Sequence, residues 1–264
     1  MPKSGGYSGF RILAEGLTGN RGWGPAWRDP APQPAYDFVV VGGGGHGLAT
    51  AYYLASRFGE ASVAVIEKGW IGGGNVGRNT TIIRSNYLLP GNEPFYEFSL
   101  KLWEGLEQDF NYNAMVSQRG VYNIYHSDAQ RDAYRRRGNS MILHGADAEL
   151  LDADQLRAEC PFLNFDNGRF PVQGALVQRR GGTVRHDAVA WGYARGADRR
   201  GVDIIQNCEV PGFRIQNGRC TGVETNRGFI AARKVGCAVA GNSSRVMQAA
   251  GMRLPIESHV LQAF

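Results

Sequence analysis

The stretch "YDFVVVGGGGHGLATAYYLASRFGEASVAVIEKG", residues 36–69, decides the fold. Phe38 to Val41 is a short apolar run stopped by glycine, the pattern of a parallel strand buried on both faces. Gly42-x-Gly44-x-x-Gly47 follows, then Leu48 to Arg57 with helical spacing, then a second strand over Ser62 to Ile66 that ends in Glu67. The first glycine of such a loop permits the tight turn and the second lets backbone approach a pyrophosphate. The third allows close helix–strand packing, and the helix N-terminus offers free N–H groups with a partial positive charge. Glu67 lies 20 residues past Gly47, where a carboxylate accepts hydrogen bonds from ribose hydroxyls. Four consecutive glycines, Gly42 to Gly45, waste chain entropy unless something comes close to the backbone. His46 reads as a first-turn residue near the phosphates rather than a base. The stretch therefore predicts a dinucleotide cradle in an α/β fold.

Composition narrows the alternatives. The chain has 264 residues, 43% hydrophobic and 20% charged, which reads as globular and soluble. No apolar run approaches the roughly eighteen residues a membrane span needs. The N-terminus lacks a continuous apolar core, so no secretory signal is expected. Cys160, Cys208, Cys220 and Cys237 show no C-x-x-C spacing, and reduced thiols in a cytoplasmic protein are the simplest reading. The net charge of +5 is spread among local clusters such as Arg135, Arg136 and Arg137, without the dense basic stripe and interleaved aromatics of a nucleic-acid binder.

A second glycine-rich stretch, "GWIGGGNVGRNTTIIRSNY" (residues 69–87), follows the acidic strand end, and a simple nicotinamide dehydrogenase has no need of it. Farther on, residues 201–244 read as a strand ending near Val210, two hairpin strands, and a return strand with Ala240 and Gly241 at its end. A helix is expected around Phe95–Phe110, with strands near Gly120–Tyr125 and Gly174–Gln178. In "RHDAVAWGYARGAD", Asp187 is placed to cap a helix starting at Ala188, with Val189, Tyr193 and Ala197 on one face.

Together these motifs resemble the flavin-dependent amine and amino-acid oxidases, the D-amino-acid oxidase family. "GGGGHGLATAYYLA", "NTTIIRSNY", "SQRGV", "RHDAVAW", "GVDIIQNCEV" and "PIESHVLQA" are similar, more narrowly, to the beta subunits of heterotetrameric sarcosine oxidases, from about Tyr36 to Phe264. The resemblance implies a Rossmann-type FAD-binding domain of the D-amino-acid oxidase and glutathione-reductase kind, with part of an interleaved antiparallel-sheet substrate domain. It divides the chain into an irregular arm (1–35), an FAD-binding domain (36–87 and 186–250), and a substrate or interface domain (88–185 and 251–264). That last domain is expected to be incomplete, because family members continue beyond the strand that starts in "IESHVLQAF". The later part is expected to carry a lysine that shares the substrate carboxylate.

The same resemblance assigns roles. Gly42, Gly44, Gly45, His46, Gly47, Glu67, Lys68, Asn75, Thr81, Ile83, Val210, Ala240 and Gly241 are expected along a noncovalent FAD. Arg84 matches an arginine that holds the substrate carboxylate over the flavin, and a guanidinium suits that task as a bidentate, permanent charge. His186 matches the histidine that carries FMN through the flavin's 8α-methyl. That attachment requires a neutral imidazole, toward which Arg185 would push it; independently of the resemblance, the nearby charges of Arg179, Arg180 and Arg185 are expected to offset the FMN phosphate or an electron-rich flavin. The implied activity is oxidative demethylation of sarcosine, with electrons passing from FAD to FMN and then to O2. The products are H2O2, glycine, and formaldehyde or methylene-tetrahydrofolate, in a complex with alpha, gamma and delta subunits. Another glycine or D-amino-acid oxidase, or a flavin-binding remnant without turnover, remains open at this point.

Overall fold

In a computed structural model of the chain, residues 8–87, 91–166 and 168–262 are described. The first residues of the expected arm (1–7), residues 88–90, residue 167 and the last two positions (263–264) lie outside them.

In chain order the elements are α1 (Gly9–Leu17), β1 (Ala35–Val41), α2 (Gly45–Arg57), β2 (Val63–Ile66), β3 (Ile82–Ile83), α3 (Glu93–Phe110), β4 (Val121–Tyr125) and α4 (Asp128–Leu143). They continue with β5 (Glu149–Asp152), α5 (Ala153–Glu159), β6 (Gly174–Gln178), β7 (Gly182–Thr183), α6 (His186–Asp198), β8 (Asp203–Ile205), β9 (Gly212–Gln216), β10 (Arg219–Thr225), β11 (Gly228–Cys237) and α7 (Ser243–Gln248).

The main sheet has the strand order β8-β2-β1-β11-β10-β9. β8, β2, β1 and β11 run parallel, and β10 and β9 add an antiparallel edge. The chain leaves β1 toward β2 and β8 on one side and returns to β11 on the other. The C-terminal end of β1 is thus a topological switch point, where open α/β sheets place their ligand crevice. β4, β6 and β5 form a separate antiparallel sheet backed by α4 and α5. A two-strand ribbon, β3 with β7, pairs Ile82 with Thr183 and Ile83 with Gly182.

One face of the main sheet is closed by α2 and α6, whose Leu48, Ala51, Tyr52, Val189, Tyr193 and Ala197 share a core with Val40, Val63 and Val65. The expected face of α6 is the buried one. α6 comes this close because Gly192 faces the Phe110 ring and Gly196 faces the Tyr52 ring. Those rings are themselves locked edge-to-face with each other and with Tyr193. Burial pushes the Tyr193 phenol far above its ordinary pKa, as a core position requires.

Four expectations need correction. The arm contains a helix, α1, capped by the Ser8 side chain; its Phe10, Leu13 and Leu17 point outward, so no core-facing stripe announced it. The strand expected to end near Val210 ends at Ile205, because Asn207 and Cys208 turn to donate to the carbonyls of Gly69 and Glu67. α6 starts at His186 with Arg185 at the N-cap, and Asp187 instead accepts from the next amide, that of Ala188, and from Arg185. No strand forms over residues 252–262, which are almost wholly exposed.

A Gly196→Ala substitution tests the α6–α2 contact. Alanine gains about 1 kcal/mol of helix propensity. Its Cβ would nevertheless lie 2.9 Å from a Tyr52 ring carbon that cannot swing away, and overpacking of this kind costs about 1–3 kcal/mol. A lower denaturation midpoint is expected; a higher one would mean that the ring yields.

Candidate functional site

The glycine loop is built by backbone collisions that only glycine avoids. Gly42 has φ +105°, and a Cβ there would overlap the Ala238 carbonyl oxygen at the end of β11. A Cβ on Gly47 would overlap the carbonyl oxygen of Gly42 itself. Gly44, the N-cap of α2, faces open space and has no side chain to cap the helix. The first-turn amides, at Gly45, His46 and Gly47, have no intrahelical acceptor and line the mouth of that space. His46 is exposed there. Unpaired amides at a helix start are the arrangement that favours an anion such as a pyrophosphate.

Glu67 does more than its spacing suggests. Its Oε2 accepts from the Gly43 amide at 2.7 Å and its Oε1 from the Gly69 amide at 2.9 Å. The carboxylate therefore braces the glycine loop against the turn that begins the second glycine-rich stretch. Each oxygen keeps a second lone pair for a ribose hydroxyl. Lys68 beside it is exposed. Because Asn207 and Cys208 bond to residues 67–69, the half-buried Val210 follows close to the Glu67 end of the crevice.

The second glycine-rich stretch packs back onto the first. Asn75 opens a 3-10 turn, Asn75–Arg78, whose Val76 reaches within 3.4 Å of where a Gly45 side chain would begin. The Ile71 amide donates to Gln206 Oε1, and a Cβ on Gly77 would overlap the Gly72 carbonyl. Thr81 sits at φ +66°, unusual for a β-branched residue, held by Asn79 Oδ1 on its amide. Ala240, in the 3-10 turn just past β11, also has positive φ (+47°), with Gly241 beside it. Strained non-glycine backbone gathers at ligand clamps, and neither residue type advertises it in sequence.

The β3–β7 ribbon then joins the two remaining assignments. Ile83, buried on β3, leads into Arg84 at one end. At the other end the Val184 amide donates to the Thr81 carbonyl at 3.0 Å, two residues before His186. Arg84 donates through Nη1 to Asn86 Oδ1 at 2.9 Å, and its guanidinium carbon lies 4.7 Å from the Tyr87 ring centroid. Among the described residues Arg84 makes no ion pair. His186 is half-buried, and its Nδ1 is shut from water without a hydrogen-bond partner among the described residues. An orphaned imidazole nitrogen at a helix start fits a residue completed by a bound group.

The three arginines expected to face an FMN phosphate are already engaged. Arg179 pairs with Glu149 and Glu159, and its guanidinium holds the Glu159 carboxyl at about 2. Arg180 pairs with Glu97 and Glu104 and lowers the Glu104 pKa. Arg185 pairs with Asp187, whose pKa it lowers, so its charge is already met by a neighbouring anion.

Sequence reasoning missed a buried polar cluster next to Arg84. Gln178, fully buried at the end of β6, accepts from the Ser85 amide and donates to Ser85 Oγ and Asp147. A glutamine closing the apolar run "GALVQ" was the available signal.

A Gly47→Ala variant is expected to lose on gel filtration the FAD that this cradle is expected to hold, because the methyl displaces the Gly42 carbonyl and with it the whole loop. Retention of stoichiometric FAD would contradict this geometry.

The comparisons agree with the geometry. The family profile described as DAO, FAD dependent oxidoreductase, matches residues 37–263. A sarcosine oxidase subunit beta of Rhizobium meliloti is 74% identical over 258 residues, covering 98% of this chain and 62% of that protein. The protein of the same name from an Arthrobacter species is 52% identical, covering 90% of this chain and 59% of its own length. The chain thus spans about three fifths of these curated relatives. Among solved structures, L-proline dehydrogenase from P. horikoshii superposes with TM-score 0.78 at 26% identity, covering 84% of this chain and 57% of that one. With its cradle, its switch-point sheet and a profile match over most of its length, the chain belongs to the DAO family of FAD-dependent oxidoreductases.

Proposed function

We propose that this chain is the flavin-binding part of a sarcosine oxidase beta subunit, acting with alpha, gamma and delta subunits in the cytoplasm. In this reading residues 36–87 and 186–250 form the FAD-binding unit, and residues 88–185 and 251–264 belong to the substrate or interface unit. FAD, held by the glycine-loop cradle, and FMN, held by His186, would supply the redox chemistry that takes electrons from the N-methyl group and passes them to oxygen. The products are glycine, H2O2 and formaldehyde or methylene-tetrahydrofolate.

What the protein contributes is placement. The amides of Gly45, His46 and Gly47 receive the FAD phosphates, and Glu67 receives the ribose. Lys68, Asn75, Thr81, Ile83, Val210, Ala240 and Gly241 complete the channel. His186 holds FMN through an imidazole whose Nδ1 has no competing partner among the described residues. Arg84 binds the substrate carboxylate and so fixes the amine beside it, which contributes through orientation. Hydride departure needs a neutral nitrogen, since an ammonium has no lone pair to assist it. A carboxylate-paired cation without a neighbouring acid favours that neutral form.

The observation that carries the proposal is Arg84: a guanidinium fixed at the end of the flavin-side ribbon, with its charge unmet by any described carboxylate. In the assembled enzyme, sarcosine-dependent peroxide formation is the test. Arg84→Lys keeps the charge but loses the fork, and kcat/KM for sarcosine is expected to fall by about 10–100-fold, mainly through KM. An unchanged KM would remove Arg84 from the substrate site, and absence of any sarcosine turnover by the wild-type assembly would end the proposal.

A further inference from the structure

Arg84 is useful as a clamp only if its fork is aimed, and the residue that aims it is two positions away. We propose that Asn86 is the positioning residue for the Arg84 clamp. It holds Nη1 so that the Nε and Nη2 edge is presented to the substrate carboxylate. The inference rests on the reading of Arg84 given above.

Several observations converge on Asn86. Its side chain is fully buried, yet Nδ2 has no hydrogen-bond partner among the described residues, while Oδ1 accepts from Arg84 Nη1 at 2.9 Å. A buried amide with its NH2 unpaired is unfavourable, and such groups in folded proteins call for an explanation. Here the amide serves its oxygen. The Asn86 backbone is fastened as well, since its carbonyl accepts from Arg137 Nη2 of α4 at 2.7 Å. Ser85, between the two, is pinned by Gln178 through its amide (3.0 Å) and its hydroxyl (2.7 Å), and by Glu97 at 3.0 Å. The other side of the guanidinium rests on Tyr87, which stacks on Tyr96 at 4.0 Å. The arginine is thereby oriented by a neutral acceptor and an aromatic face, neither of which consumes its charge.

The choice of amide over acid follows. Asparagine and aspartate have almost the same shape, but a carboxylate at this position would pair with Arg84 and compete with the substrate's own carboxylate. Alanine would leave Nη1 free and the fork unaimed.

The test uses the assembled enzyme with Arg84→Lys, Asn86→Asp, Asn86→Ala and the Arg84→Lys/Asn86→Ala double variant. It measures the sarcosine KM and kcat and the Kd of acetate, read by its perturbation of the flavin spectrum. Asn86→Asp is expected to raise both the acetate Kd and the sarcosine KM at least tenfold, with FAD content and thermal midpoint near wild type. Asn86→Ala should raise KM severalfold with a smaller change in kcat, and should add little in the Arg84→Lys background, because the two act as one unit. A purely structural Asn86 would give additive effects and would lower FAD content and midpoint alongside activity; that result would overturn the proposal. If Arg84→Lys raises KM while both Asn86 variants leave it unchanged, the clamp stands and the positioning role falls. If Arg84→Lys itself leaves acetate binding unchanged, both fall. Should Asn86→Asp fail to assemble, Asn86→Ala and the double variant decide alone.

Discussion

Two backbone contacts set the position of everything else. The Gly42 carbonyl lies where a Gly47 side chain would begin, and the Ala238 carbonyl lies where a Gly42 side chain would begin. These approaches draw the start of α2 down onto the ends of β1 and β11, so the helix's free amides open onto the switch point of the sheet. Glu67 then ties the loop to the turn after β2 through two amide hydrogen bonds. A methyl group at either glycine would therefore move the proposed anion site, the proposed ribose acceptor and the entry to the second glycine-rich stretch together.

From that stretch onward the short β3–β7 ribbon carries the geometry. It is only two pairs long, but it is flanked by the Val184–Thr81 bond at one end and by the Ser85–Gln178 bonds at the other. Arg84 and His186 emerge from opposite ends of this one ladder. The proposed substrate clamp and the proposed FMN anchor are consequently held at a fixed separation by the backbone ladder, with the Gln178 side chain closing it at the Arg84 end. The ion pairs of Arg179 with Glu149 and Glu159, and of Arg180 with Glu97 and Glu104, staple β6 and its following turn to α3, β5 and α5 around it. Their role is structural cohesion, and that is why they are not free for a phosphate.

The parts of this architecture that were legible in the sequence are those governed by local steric rules. Glycine spacing, an apolar run of four and an acid at a set distance announce β1, the loop, α2 and β2, because few other residue types tolerate those contacts. The α6 face was legible through Val189, Tyr193 and Ala197. What was hidden depended on partners distant in sequence. Asp187 has the chemistry of an N-cap, but Arg185 claims it and the helix begins two residues sooner. Val210 looked like a strand end until the backbone of residues 67–69 drew the chain aside. α1 escaped because its inward residue is Glu15, which accepts from the Gly22 amide, while its apolar side chains face out. The strained Thr81 and Ala240 carry no residue-level sign of positive φ, and Asn86 becomes informative only once its burial and orphaned Nδ2 are seen.

The central claim is that one chain grips an adenine-containing flavin without a covalent bond and tethers a second flavin to a single imidazole. Acid denaturation of the assembled enzyme, followed by mass analysis of the supernatant and of the tryptic peptides, tests it most directly. The account predicts free FAD in the supernatant and an FMN-sized increment on the peptide containing His186. Release of all flavin, or an increment on a different peptide, would contradict it.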